Sequence, residues 1–187
     1  MSPSLVPQKT LILGVGNLLM GDEGVGVAAV RHLEERGYAR HAELVDGGTS
    51  GFHLLGLFRN QQHLILIDAA TDEYPPGTVS FIQPRYATDF PPTLTAHDIG
   101  LKDLLESAVL LGYWPQVDLI TISIGSLAMM SMELSPDVSA ALPRVEALVK
   151  LCLASATATA MPEPAATVSR PFPPRQQFAL RPALRCQ

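Results

Sequence analysis

Three stretches of this chain are apolar at almost every position and too short to be core helices: TLILGV at residues 10–15, HLILIDA at 63–69 and VDLITISI at 117–124. A strand with one solvated face alternates apolar and polar residues, whereas these runs do not alternate. Continuous apolar character over six to eight residues marks strands buried on both faces, which is the habit of a parallel sheet. Between them lie segments with helical spacing. Over residues 23–36, Val25, Ala28, Ala29, His32 and Leu33 recur at three- and four-residue intervals, and Gly37 follows as a stop. Residues 42–45 and 78–82 read as two further short strands, and residues 52–58 as a short helix. Thr95 and Asp98 have capping-box spacing ahead of a helix whose apolar face is Leu101, Leu104, Leu105, Ala108 and Val109. A last helix opens at Ser135-Pro136 and runs to about residue 154, with Pro143 expected to kink it. Strands alternating with helices predict an α/β fold in three layers, a mostly parallel twisted sheet flanked by helices on both faces.

At 187 residues and 47% hydrophobic composition the chain suits one domain, assigned to residues 1–155. From residue 156 to 187 the composition turns to Ala, Thr, Pro and Arg without periodicity, and a disordered tail is expected there. Charge follows the same division. Through Leu153 there are nine Lys and Arg against seventeen Asp and Glu, and beyond it four arginines against Glu163 alone. An acidic body argues against nonspecific nucleic-acid binding. No apolar run reaches the length needed to span a bilayer, so no membrane insertion is expected. No secretory pattern opens the sequence, and Cys152 and Cys186 form neither a disulfide framework nor a metal motif. A cytoplasmic location is the expectation.

In an open α/β sheet, ligands bind beyond the carboxyl ends of the strands. That rule selects Asn17, Asp22 and Glu23 after the first strand, Asp46 after the second and Asp68 at the end of the third. His97 falls at or just before the start of the capped helix. Glu23, Asp68 and His97 together offer two carboxylates and an imidazole, a ligand set for a divalent transition metal such as Ni, Zn, Cu or Fe. Three protein ligands would leave coordination positions open for chemistry. Each residue also has a plainer reading. Glu23 is an acid in a helical first turn, where the helix dipole favours it, and His97 is a residue at a helix start. Asp68 is harder to dismiss, because a carboxylate closing an apolar strand must be paired or functional. His32, His41, His53 and His63 read as structural or solvent-facing, and Met129, Met130 and Met132 as packing residues.

Two other motifs compete. Gly14-Val15-Gly16 follows a strand as in a dinucleotide fingerprint, but Leu19 stands where the third glycine belongs. Ser50, Asp68 and His97 have the chain order of an α/β-hydrolase triad. Yet Phe52 occupies the second glycine position of the nucleophile elbow, and Ser50 reads better as a helix N-cap.

The segment GVGNLLMGDEGVG at residues 14–26 resembles the signature of the [NiFe]-hydrogenase maturation endopeptidases. DGGTSG at 46–51, HLILIDA at 63–69 and HDIGL at 97–101 resemble that family's later blocks, and ELSP at 133–136 a weaker one. The blocks occur in family order. The resemblance implies that Glu23, Asp68 and His97 are the metal-contacting residues. It implies an endopeptidase that removes the C-terminal extension of a [NiFe]-hydrogenase large-subunit precursor once nickel is installed. The nickel is then presented by the substrate rather than held as a permanent cofactor, and other maturation proteins are possible further partners. An assembly protein that binds the precursor without cutting it and a nucleotide-binding α/β protein are the alternatives. One departure is GSLAMMSM at residues 125–132, where family members often carry a proline-containing stretch. It bears on the local loop and on substrate choice.

Overall fold

A computed structural model describes residues 9–84, 101–113, 115–125 and 131–158. Five strands form one sheet in the order β2-β1-β3-β5-β4: β1 Thr10–Val15, β2 Glu43–Gly48, β3 His63–Ala70, β4 Val79–Ile82 and β5 Gln116–Ser123. The first four in that order run parallel, and β4 pairs antiparallel to β5 at the edge. A parallel return needs a crossover of about a dozen residues or more, and only residues 71–78 join β3 to β4. The mostly parallel sheet expected from the uninterrupted apolar runs is present. All six residues of β1 and all eight of β3 are buried.

Helices cover both faces. On one, α1 (Val25–Glu35) and α4 (Leu142–Ala158) pack over Ile12, Ile65, Ile67, Ile120 and Ile122. On the other, α2 (Leu101–Leu110) and the 3-10 segment Gly51–Phe58 cover Leu11, Leu13, Leu64, Leu66 and Leu119. Period-two alternation sends odd and even positions of each strand to opposite layers, so both must be apolar.

Several boundaries differ from expectation. The helix expected from residue 23 begins as the 3-10 turn Gly21–Gly24 and becomes α-helical only at Val25. The short helix at 52–58 is 3-10 throughout. Strand β2 continues through Asp46-Gly47-Gly48, since glycine and aspartate keep their ladder bonds to β1 despite poor strand propensity. The helix expected from Ser135 to 154 is two helices, α3 (Pro136–Ser139) and α4, broken just before Pro143. Proline has no N–H to offer the carbonyl four residues back, so the helix restarts rather than kinks. The expected start at Ser135-Pro136 holds for α3, with Pro136 in its first turn and the Ser135 hydroxyl capping it by accepting from the Val138 N–H at 3.5 Å. Gly37 ends α1 in the left-handed conformation, φ 80°. The proposed Thr95/Asp98 capping box and the tail from 159 lie outside the described residues, and α4 reaches past the expected boundary at 155.

Candidate functional site

The order β2-β1-β3-β5 has a consequence for binding. From β1 the chain moves outward to β2 on one side, then returns to place β3 on the other. The connections leaving β1 and β3 therefore diverge and open a crevice at the carboxyl ends of these two strands. Glu23 and Asp68 sit there.

Glu23 is carried by the turn Gly21–Gly24, which packs against β3. The approach is close enough to demand glycine at two positions. A Cβ on Gly16, whose φ is +138°, would lie 2.0 Å from the Glu23 carbonyl oxygen. A Cβ on Gly26 would lie 2.2 Å from the Val15 carbonyl oxygen and 2.3 Å from that of Ile67. The first turn of α1 thus rests directly on the ends of β1 and β3, and Glu23, three residues earlier, is drawn into the crevice at 3% exposure. Gly26→Ala is expected to cost about 1–3 kcal/mol, because two fixed backbone carbonyls must yield to one methyl group. Chemical denaturation measures this directly, and an unchanged midpoint would show that α1 can lift off the sheet freely.

Asp68 is fully buried near the end of β3, level with Thr121 of β5. Its Oδ1 accepts the Ala69 N–H at 2.8 Å. Strand alternation puts it on the same face as Leu64 and Leu66, the face covered by α2. His97 stands four residues ahead of the first residue of α2 and lies outside the described residues. The structure therefore brings together the elements bearing Glu23 and Asp68. Among the described residues, no group of three or more His, Cys, Asp or Glu is placed to hold a metal ion. Two carboxylates alone are a hard, incomplete donor set for a transition metal, and a nitrogen or sulfur donor is needed to finish it.

The secondary candidates have structural occupations. Asn17 makes an Asx turn, its Oδ1 accepting the Leu19 N–H at 3.0 Å. Asp22 Oδ1 accepts the Ser135 N–H at 2.6 Å, and the Gly21 N–H reaches the Ser131 carbonyl at 2.6 Å. Residues 20–22 are thereby pinned to 131–135. Asp46 accepts from Gly48 N–H at 3.0 Å and pairs with Arg31 at 3.2 Å on the surface. Ser50 occupies the expected N-cap position of the 3-10 segment, but its side chain makes no capping bond. It is exposed, as a loop residue rather than an elbow nucleophile. Cys152 is buried on α4, and burial together with the Asp118 charge pushes its thiol up to about 12. A thiol held that high stays protonated and is no nucleophile.

A buried polar group of a different kind was not singled out from the sequence. His63 Nε2 meets Asp118 Oδ2 at 2.8 Å, and both residues are essentially inaccessible. Gln83 donates to Asp118 Oδ1 at 2.8 Å, and Thr10 Oγ1 lies 3.4 Å from His63 Nδ1. This network lies at the amino ends of β1, β3 and β5, opposite the crevice. The available signal was an aspartate inside one apolar run and a histidine opening another.

Comparison with known proteins decides the family. The hydrogenase maturation protease profile matches residues 27–151. The chain belongs to the hydrogenase maturation protease family. It is similar to hydrogenase 2 maturation protease of Escherichia coli, 37% identical over 111 residues, which are 58% of this chain and 68% of that one. It is also similar to the hydrogenase expression/formation protein HupD of Rhodobacter capsulatus, 34% identical over 60% of this chain and only 55% of HupD. Among solved structures, the hydrogenase maturating endopeptidase HybD from E. coli shares the fold with a TM-score of 0.65 and 33% identity. That match covers 77% of this chain and 93% of HybD. The resemblance read from the sequence motifs is the family found here.

Proposed function

We propose that this hydrogenase maturation protease family member is an endopeptidase that removes the C-terminal extension of a [NiFe]-hydrogenase large-subunit precursor after nickel insertion. The observation that carries this is Asp68, a carboxylate buried at the end of the central strand, with the Glu23 turn packed beside it at the switch point of the sheet. Nickel enters as cargo of the substrate. Glu23, Asp68 and His97 complete its coordination, supplying the oxygen and imidazole donors. The metal supplies Lewis-acid polarisation of the cut carbonyl or of an attacking water. A carboxylate of this chain accepts the proton that water gives up. An empty precursor offers these residues nothing to grip, so cleavage becomes a check on metal insertion.

Among the described residues no helix is long and apolar enough to cross a membrane. The proposed reaction belongs in the cytoplasm, before the mature enzyme is assembled. The test is mass spectrometry of a large-subunit precursor incubated with this protein, with and without nickel in the precursor. Loss of one C-terminal peptide from the nickel-loaded form alone is expected. Cleavage of both forms would remove nickel as the signal, and cleavage of neither would favour a protein that binds the precursor without cutting it.

A further inference from the structure

A carboxylate serves a reaction only if the backbone that carries it is held still. The turn that carries Glu23 holds itself poorly. It is four residues long and 3-10 in form, with hydrogen bonds weaker than those of an α-helix. Met20 stands at its N-cap position and makes no capping bond with its side chain. Gly21 opens it in the left-handed conformation, φ 59°, and the Glu23 N–H reaches the Met20 carbonyl only at 3.4 Å. Much of the restraint comes from outside the segment. The turn packs against β3, and a Cβ on Gly24 would lie 2.9 Å from the Leu18 Cα. Three further links run across the chain. Met20 and Ser131 form a parallel bridge, the Gly21 N–H donates to the Ser131 carbonyl at 2.6 Å, and Asp22 Oδ1 accepts the Ser135 N–H at 2.6 Å. Of these three, the last is the one made by a side chain. Its far end is firm: Ser135 caps α3 through the Val138 N–H, and Val138 is fully buried in the core between α1, α4 and the sheet. Asp22 thus ties the residue next to Glu23 to the main core.

Resting on the endopeptidase reading, we propose that Asp22 is a positioning residue of the reaction: its bond to the Ser135 N–H holds the turn that aims Glu23. Asp22 does no chemistry of its own. Its Oδ1 is given to a backbone N–H, and an asparagine Oδ1 is an equal acceptor there. A carboxylate acting as a base or as a metal ligand has no such substitute. Loss of the bond lets the Glu23 turn shift, and a misplacement of about 1 Å at a reacting group costs about 10²-fold in rate. The loss falls on kcat, since Glu23 stays present but is wrongly placed.

The experiment is a double-mutant cycle on the full chain, read as the rate of cleavage of nickel-loaded precursor. It compares wild type with Asp22→Ala, Asp22→Asn, Glu23→Gln and the double variant Asp22→Ala with Glu23→Gln. Asp22→Ala is expected to lower kcat by about 10- to 100-fold with KM within about threefold, and Asp22→Asn to stay within about threefold of wild type. In the Glu23→Gln background, Asp22→Ala is expected to cost less than about threefold, because a residue acting through Glu23 has nothing more to lose once that carboxylate is gone. Thermal melting confirms that the compared variants are folded. Should Asp22→Ala not fold, Asp22→Glu keeps the charge but carries the oxygen one methylene too far, and it should cut more slowly than Asp22→Asn. An Asp22→Ala loss that multiplies in full onto that of Glu23→Gln overturns the proposal, since Asp22 then acts independently of Glu23. Wild-type kcat in Asp22→Ala, or an Asp22→Asn as slow as Asp22→Ala, also overturns it. In each of these cases wild type still cuts and the endopeptidase stands. A wild type that cuts no precursor would sink the endopeptidase and the positioning role together.

Discussion

Asp68→Asn is expected to slow processing of a nickel-loaded precursor by about 10²- to 10⁴-fold, the usual worth of a positioned acid or base. The substitution is nearly isosteric, and an asparagine Oδ1 can still accept the Ala69 N–H now held at 2.8 Å. Stability should therefore change little, which separates a chemical role from a structural one. Single-turnover mass spectrometry measures the rate, and thermal melting supplies the control. Glu23→Gln should fall in the same class, since Glu23 is drawn into the same crevice by the Gly16 and Gly26 contacts. A rate within a few-fold of wild type for Asp68→Asn would mean that its burial serves the fold alone.

Asp118→Ala should leave the site's chemistry intact yet remove about 3–5 kcal/mol of stability, the range for breaking one side of a buried pair. His63 would stay fully buried without its 2.8 Å partner, and the Gln83 amide would lose its acceptor. Replacing both members with apolar residues, as in His63→Phe with Asp118→Leu, should recover much of that loss, because an apolar pair carries no desolvation penalty. The same pair predicts a pH response. Burial tends to raise the Asp118 carboxyl, but hydrogen bonds from His63 and Gln83 and the His63 charge outweigh it and hold the carboxyl below its usual value. A carboxyl lowered on folding contributes stability that is complete above its ordinary range near pH 4. That contribution is lost as the pH falls through the lowered value. Urea unfolding should therefore show a decline below about pH 4 that is shallower in Asp118→Ala. Equal acid slopes would show that other carboxylates dominate.

Much of the site was legible because it obeys local rules. Asp68 stood out as a charge ending an apolar strand, and Glu23 as an acid just after the first strand, where a helix was expected to start. Asn17 and Asp22 were drawn into the candidate list by the same rule, but their oxygens are occupied by backbone N–H groups nearby and across the chain. The Asn17 bond is a local Asx turn, but the partner of Asp22 is Ser135, more than a hundred positions away, and no local pattern announces it. His63 read as one more structural or solvent-facing histidine. Its pairing with Asp118 depends on β3 lying beside β5, a neighbour relation that the strands individually do not state.

The amino-acid sequence alone determined the layers of this protein, since continuous apolar strands must be buried on both faces and helices must do the covering. It also determined the family, through glycines and acids at set spacings: the turn after β1 tolerates no side chain at Gly16, nor the first turn of α1 at Gly26. Only the tertiary structure decided the strand order, and with it the crevice between β1 and β3 where Glu23 and Asp68 lie. It alone showed that residues 20–22 are stitched to 131–135. The reason is physical. Periodicity and propensity act over one or two turns of chain, whereas strand neighbours and long-range hydrogen bonds are chosen by the packing of the whole core.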